Sequence, residues 1–200
     1  MKSKQRLHKL TLKWSEGSLY IWRHRALAEQ VSICLFNCQN CETLPSLWQF
    51  PSLKQVIIHG FRGLTQMDDD FYGNGADAGQ MPCLHELTVW DCPKINEIPT
   101  LPCNLAVLEV AIWKSVEAYI LGTIGYLQLS SIDTLKSEVL PSNLKSFRLI
   151  SCSNLTALPE RLDYLLALEL LEAWNFSQLM SLPESRLPLN LQLFCVTFPT

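Results

Sequence analysis

Leu84-His85-Glu86-Leu87-Thr88-Val89-Trp90-Asp91-Cys92-Pro93-Lys94-Ile95-Asn96-Glu97-Ile98-Pro99 decides how the rest of the chain is read. It spells L-x-x-L-x-L-x-x-C, then x-x-I-x-x-I-P. Leu87 and Val89 stand two apart, so both point to one face of a short strand, and Thr88 and Trp90 point to the other. Cys92 closes the turn out of the strand, and Ile95 and Ile98 continue the apolar side along the return path. One such unit cannot cover its own apolar face, so the question is where it recurs.

It recurs along the whole chain. Leu7, Leu10 and Leu12 open one copy with Ser15 in the ninth position. Ile33, Leu35 and Cys38 belong to a second copy with a degenerate first position at Gln30, and Leu53, Val56, Ile58 and Phe61 form a third. The starts at 7, 30 and 53 are 23 residues apart. After the opening stretch come Leu105, Leu108 and Val110 with Trp113. A weaker copy, Ile124, Leu127, Leu129, Ile132 and Leu135, divides the 39 residues between Leu105 and Leu144. Copies at Leu144, Leu168 and Leu191 follow, the last with Phe194 and Val196. This is the leucine-rich repeat pattern, with its period of about 20–29 residues. The expected fold class is α/β: a horseshoe-like leucine-rich repeat solenoid with a parallel concave sheet and an irregular or short-helical convex side. About nine repeats fill a single domain over 1–200, expected to be a fragment of a longer array because neither end carries a polar cap. An acidic, Gly-rich stretch at 66–80 reads as an exposed loop inserted between repeats. Leu-Pro pairs at 44-45, 101-102, 140-141, 158-159, 182-183 and 187-188 lie outside the inner strands, as the missing proline N–H requires.

Composition narrows the function. The net charge is −3 with no basic tract, which gives a nucleic-acid backbone no electrostatic footprint. There is no signal-like or membrane-spanning apolar run, so a cytoplasmic location is expected and the sequons at Asn154 and Asn175 should be silent. Eight cysteines are present, but Cys38, Cys92 and Cys152 all fall in the ninth repeat position, where a buried free thiol fills the turn. Cys38-x-x-Cys41 has zinc-like spacing without a second ligand pair, and the aspartates at 68–70 lack the spacing of a calcium loop. No phosphate loop, catalytic triad or carboxylate pair stands out, so no enzyme activity, no metal or other cofactor, and no nucleotide binding are expected.

Several stretches together carry a more specific likeness: Leu35-Phe36-Asn37-Cys38-Gln39-Asn40-Cys41-Glu42-Thr43-Leu44-Pro45, Phe50-Pro51-Ser52-Leu53-Lys54-Gln55-Val56, Met81-Pro82-Cys83-Leu84, and Trp90-Asp91-Cys92-Pro93-Lys94. This succession resembles the leucine-rich repeat region of plant intracellular disease-resistance receptors of the coiled-coil, nucleotide-binding class, most closely over 31–110. The resemblance implies a protein partner: a pathogen effector, a guarded host protein, or the receptor's own nucleotide-binding domain held inactive. The competing readings are an inert fragment of a decayed receptor gene and a leucine-rich repeat substrate adaptor.

Any binding surface should lie on the outward strand positions that form the concave face. Aromatic and arginine side chains dominate binding hot spots. The candidate protein-binding residues are therefore Phe36, His59, Glu86, Trp90, Arg148 and Trp174.

Overall fold

The computed structural model describes residues 9–13, 31–44, 47, 50–67, 71, 81, 83–95, 101–102, 104–111, 115–116, 124–132, 134–135, 140–159, 162–179 and 187–197. Its centre is a nine-stranded parallel sheet. The strands are β1 (Lys9–Lys13), β2 (Ser32–Phe36), β3 (Gln55–His59), β4 (Glu86–Trp90), β5 (Val107–Ala111), β7 (Tyr126–Ser130), β9 (Ser146–Ile150), β10 (Leu170–Trp174) and β11 (Leu193–Val196), each beside the next. Two short strands, β6 (Ser115–Val116) and β8 (Thr134–Leu135), pair separately beyond β5 and β7. The weak sixth copy is thus a full strand of the sheet.

Alternation along each strand decides what is buried. In β3, β4, β5, β7, β9 and β10 the second and fourth residues are buried and the first and third are half-buried. Strand register aligns those inner residues into two continuous rows. One runs Ile33, Val56, Leu87, Leu108, Leu127, Phe147, Leu171; the other Leu35, Ile58, Val89, Val110, Leu129, Leu149, Ala173. First-position leucines (Leu53, Leu84, Leu105, Leu144, Leu168) and ninth-position residues (Cys38, Phe61, Cys92, Ile132, Cys152, Phe176) fill the space behind the sheet. Each fully buried Leu, Val, Ile or Phe is worth about 1.5–3 kcal/mol, but only when a neighbouring coil covers it.

Backbone groups repeat as regularly as the side chains. The second-position carbonyl of one coil accepts both the second- and third-position amides of the next: Lys54 and Gln55 donate to Val31 O, His85 and Glu86 to Lys54 O, Lys145 and Ser146 to Gly125 O. Tight turns lead into the first position, with Leu105, Leu144 and Leu191 donating to the carbonyls of Pro102, Pro141 and Pro188. No described proline sits in a sheet strand. At the strand exits, Asn37, Gly60, Asp91, Ser131, Ser151 and Asn175 all adopt positive φ.

Two expectations are corrected. Cys38 is not a free thiol: it is joined to Cys41 in a disulfide. The turn at residues 39–40 leaves the two Cα atoms 5.5 Å apart, inside the bridging range. Cys34, Cys92 and Cys152 are buried thiols outside any disulfide. The stretch at 66–80 is also not wholly an exposed insertion, because Met67 and Phe71 are buried in the core. The Phe71 carbonyl accepts a hydrogen bond from Leu47 N at 3.2 Å, so this segment contributes to its coil. Residues 68–70 and 72–80 lie outside the described residues, as do Ser15, Trp113 and the Leu182-Pro183 pair. Among the described residues, the convex side carries turns, a helical residue at Phe71 and a short 3₁₀ turn at Leu162–Tyr164.

Candidate protein-binding face

Outward residues of the sheet fall into three rows. The first contains Ser32, Gln55, Glu86, Val107, Tyr126, Ser146 and Leu170. The middle row contains Cys34, Ile57, Thr88, Glu109, Gln128, Arg148 and Glu172. The third holds the last residue of each strand: Phe36, His59, Trp90, Ala111, Ser130, Ile150 and Trp174. All six candidate residues therefore share one face, but they do not form one cluster.

Phe36, His59 and Trp90 are consecutive in the third row. The Phe36 and His59 rings lie 5.9 Å apart, tilted by 48°. His59 Nδ1 is buried without a hydrogen-bond partner among the described residues. His85, at the strand entry, is exposed and apart from it. Trp90 is 40% exposed and Trp174 41%, far more than core residues of their size tolerate. Between these tryptophans the row drops to Ala111 and Ser130 before rising to Ile150. Four strand spacings separate them, about 19 Å along the sheet.

The first two rows carry a hydrogen-bond ladder. Ser32 Oγ donates to Gln55 Oε1 at 2.7 Å, and Gln55 Nε2 donates to Glu86 Oε2 at 2.6 Å. Further along, Arg148 Nη1 donates to the Tyr126 hydroxyl at 3.1 Å, which donates to Gln128 Oε1 at 3.0 Å. The Arg148 guanidinium lies 5.4 Å from the Tyr126 ring centre, in cation–π range. Arg148 Nε stands 2.5 Å from Glu172 Oε2 in an ion pair. Burial lowers the basicity of Arg148, but the Tyr126 hydroxyl and the Glu172 carboxylate outweigh it and hold the guanidinium above its ordinary value. Arg148 is therefore a fixed charge, already committed to two neighbours.

Glu109 and Cys34 were not singled out by the sequence, and both matter here. Burial first, and the like charge of Glu86 second, hold the Glu109 carboxyl above the usual carboxylate range; Arg148 opposes this only in part. Alternation places Cys34 outward, yet it is 1% exposed. Its short side chain sits between Thr11 and Ile57 of the flanking strands and does not rise past them. No group of three or more His, Cys, Asp or Glu able to hold a metal occurs among the described residues.

The same architecture occurs in a solved structure, the leucine-rich repeat domain of the type III effector XCV3220 (XopL). It superposes with a TM-score of 0.66 over 94% of this chain and 75% of that one, at 16% identity. The fold is a leucine-rich repeat solenoid. Residues 1–61 match the family model described as R13L1/DRL21 LRRs. A Solanum bulbocastanum protein named as a disease resistance protein, RGA1, is 27% identical over 178 residues, 82% of this chain. The repeats are thus similar to those of plant disease-resistance proteins. The chain spans 17% of that relative's length.

Proposed function

We propose that this leucine-rich repeat chain is a protein-recognition module of a plant disease-resistance protein. It works in the cytoplasm, binds a protein partner across the open face of its sheet, and performs no chemistry of its own. The partner is a pathogen effector, a guarded host protein, or a nucleotide-binding domain that the repeats restrain. The observation that carries this reading is the pair Trp90 and Trp174, each about 40% exposed on the same row of one rigid sheet. Large aromatics left in water on a preformed surface are the usual anchors of protein interfaces.

The test is proximity labelling in plant tissue with the wild-type chain and with the Trp90→Ala/Trp174→Ala variant, alongside thermal melts of both purified proteins. Proteins labelled by the wild type should fall by about tenfold or more with the variant, since hot-spot truncations cost about 2 kcal/mol each. The melts should coincide. Unchanged labelling by a folded variant would overturn the assignment of this face.

A further inference from the structure

The charge on this face is unevenly answered, and the imbalance specifies the chemistry of the occupant. From β2 to β10 the fixed charges on the described outward positions are Glu86, Glu109, Glu172 and Arg148. Arg148 is bound to Glu172 and to the Tyr126 hydroxyl. That leaves Glu86 and Glu109 diagonal to one another on neighbouring strands, with Arg148 offsetting the charge of Glu109 only in part among the described residues. Glu86 accepts one hydrogen bond, from the neutral Gln55 amide, which eases its charge without cancelling it. Glu109 is partly buried between Thr88 and Gln128, so its charge is poorly hydrated as well as repelled. Lys9 and Lys13 belong to β1, three strand spacings from Glu86. The Trp90 ring stands at the far end of the same strand as Glu86, and tryptophan is the best aromatic partner for a cation.

We infer that the middle of this face receives a basic, extended protein segment, with one lysine or arginine seated over Glu86 and Glu109 and another against Trp90. This rests on the reading of the face as a protein-binding surface and adds the partner's chemistry. A segment crossing the strands meets a carboxylate pair, then the small residues Ala111 and Ser130, and then the neutralised Arg148–Glu172 pair. An acidic segment would meet two carboxylates offset only in part and one arginine already bound to Glu172.

The test uses the full chain and two fluorescein-labelled decapeptides, one alternating lysine and alanine, the other glutamate and alanine, read by anisotropy. The lysine peptide should bind and the glutamate peptide should not. Binding should weaken about tenfold in Glu86→Gln/Glu109→Gln and strengthen severalfold in Arg148→Gln, which releases the Glu172 carboxylate. A thermal melt of Glu86→Gln/Glu109→Gln that coincides with the wild type's shows that lost binding is not lost folding. Raising the salt from about 50 to about 300 mM should weaken the wild-type complex. Equal binding of both peptides, no binding of the lysine peptide, or indifference to the Gln substitutions would each overturn the inference. If that happened while labelling still depended on Trp90 and Trp174, the interface would stand and only its charge preference would fall.

Discussion

Six residues at the strand exits, Asn37, Gly60, Asp91, Ser131, Ser151 and Asn175, hold φ between 52° and 76°. This eighth repeat position turns the chain off the sheet and aims its amide at the next coil. Asn37 N reaches His59 O at 2.8 Å, Gly60 N reaches Trp90 O at 3.0 Å, and Ser151 N reaches Trp174 O at 2.9 Å. The carbonyls so held belong to candidate binding residues, so the turn fixes the floor under them. Gly60 is the most demanding of the six. A Cβ there would meet Asn37 Oδ1 at 2.6 Å and Asn37 Cα at 3.3 Å. Gly60→Ala should therefore destabilise the chain by about 1–3 kcal/mol, combining left-handed strain with displacement of Asn37. Urea denaturation with an unchanged midpoint would refute this. One position later, burial pushes the Cys92 thiol up from 9.0 to about 11, while its Sγ donates to Trp90 O at 3.3 Å. The folded state keeps a proton that the unfolded state gives up near pH 9. Cys92 thus contributes stability below that pH and loses it as pH rises toward 11, on the order of 2 kcal/mol in all. A Cys92→Ala variant, although less stable at neutral pH, should show a shallower alkaline loss in its melting curve. Parallel pH profiles would count against a thiol-specific effect.

At the scale of the strand, two demands compete for each outward position: covering the neighbouring strand and remaining available to a partner. Glu109 shows the conflict. Its raised pKa means that the folded state holds its proton more tightly than the unfolded state does. Its contribution is favourable below the ordinary value of 4.5 and is lost as pH rises through the raised value. At neutral pH the ionised group is a small liability. Glu109→Gln should therefore raise stability near pH 7, by up to about 0.5 kcal/mol, with the gain vanishing at acidic pH. Melts at both pH values decide this; a gain that persists in acid would point to packing instead. The strand is also where sequence reading stops. Leu87 and Val89 announce their strand because inward residues must repeat in every coil to build one core. Phe36, Trp90, Arg148 and Trp174 could be placed on the open face by the same alternation. That Arg148 is bound to Glu172, that Glu109 is partly buried beside Glu86, and that Cys34 is covered depend on which strands lie side by side. The side-by-side placement is set by register between residues 19 to 31 positions apart, and no local pattern encodes the rotamers. The Cys38–Cys41 bridge is hidden for a related reason: the ninth repeat position favours a buried thiol, and only the turn at residues 39–40 shows the two cysteines within bonding reach.

The whole molecule is quasi-one-dimensional: each coil touches the coil before and the coil after it. Its stability is accordingly a sum of weak individual units and strong nearest-neighbour interfaces. Position along the array should then matter as much as burial. Leu127 and Leu129 of β7 are fully buried at mid-array, between β5 and β9. Phe194 of β11 is only half-buried and has a neighbouring strand on one side. Leu127→Ala removes contacts that join two halves of the stack, at a cost of about 2–5 kcal/mol for a buried leucine. It should split native-state hydrogen exchange into two blocks, β2–β5 and β9–β10, which lose their mutual protection and open independently. Phe194→Ala should lower protection only in β11 and the adjoining edge of β10, leaving the centre as it was. This matters for recognition, because Trp90 and Trp174 lie on opposite sides of β7. A partner that needs both anchors should bind Leu127→Ala more weakly although every residue it touches is intact, and Phe194→Ala with almost wild-type affinity. Uniform loss of exchange protection in both variants would mean that the array unfolds as one cooperative block, and the spacing of the two tryptophans would then not depend on the coil between them.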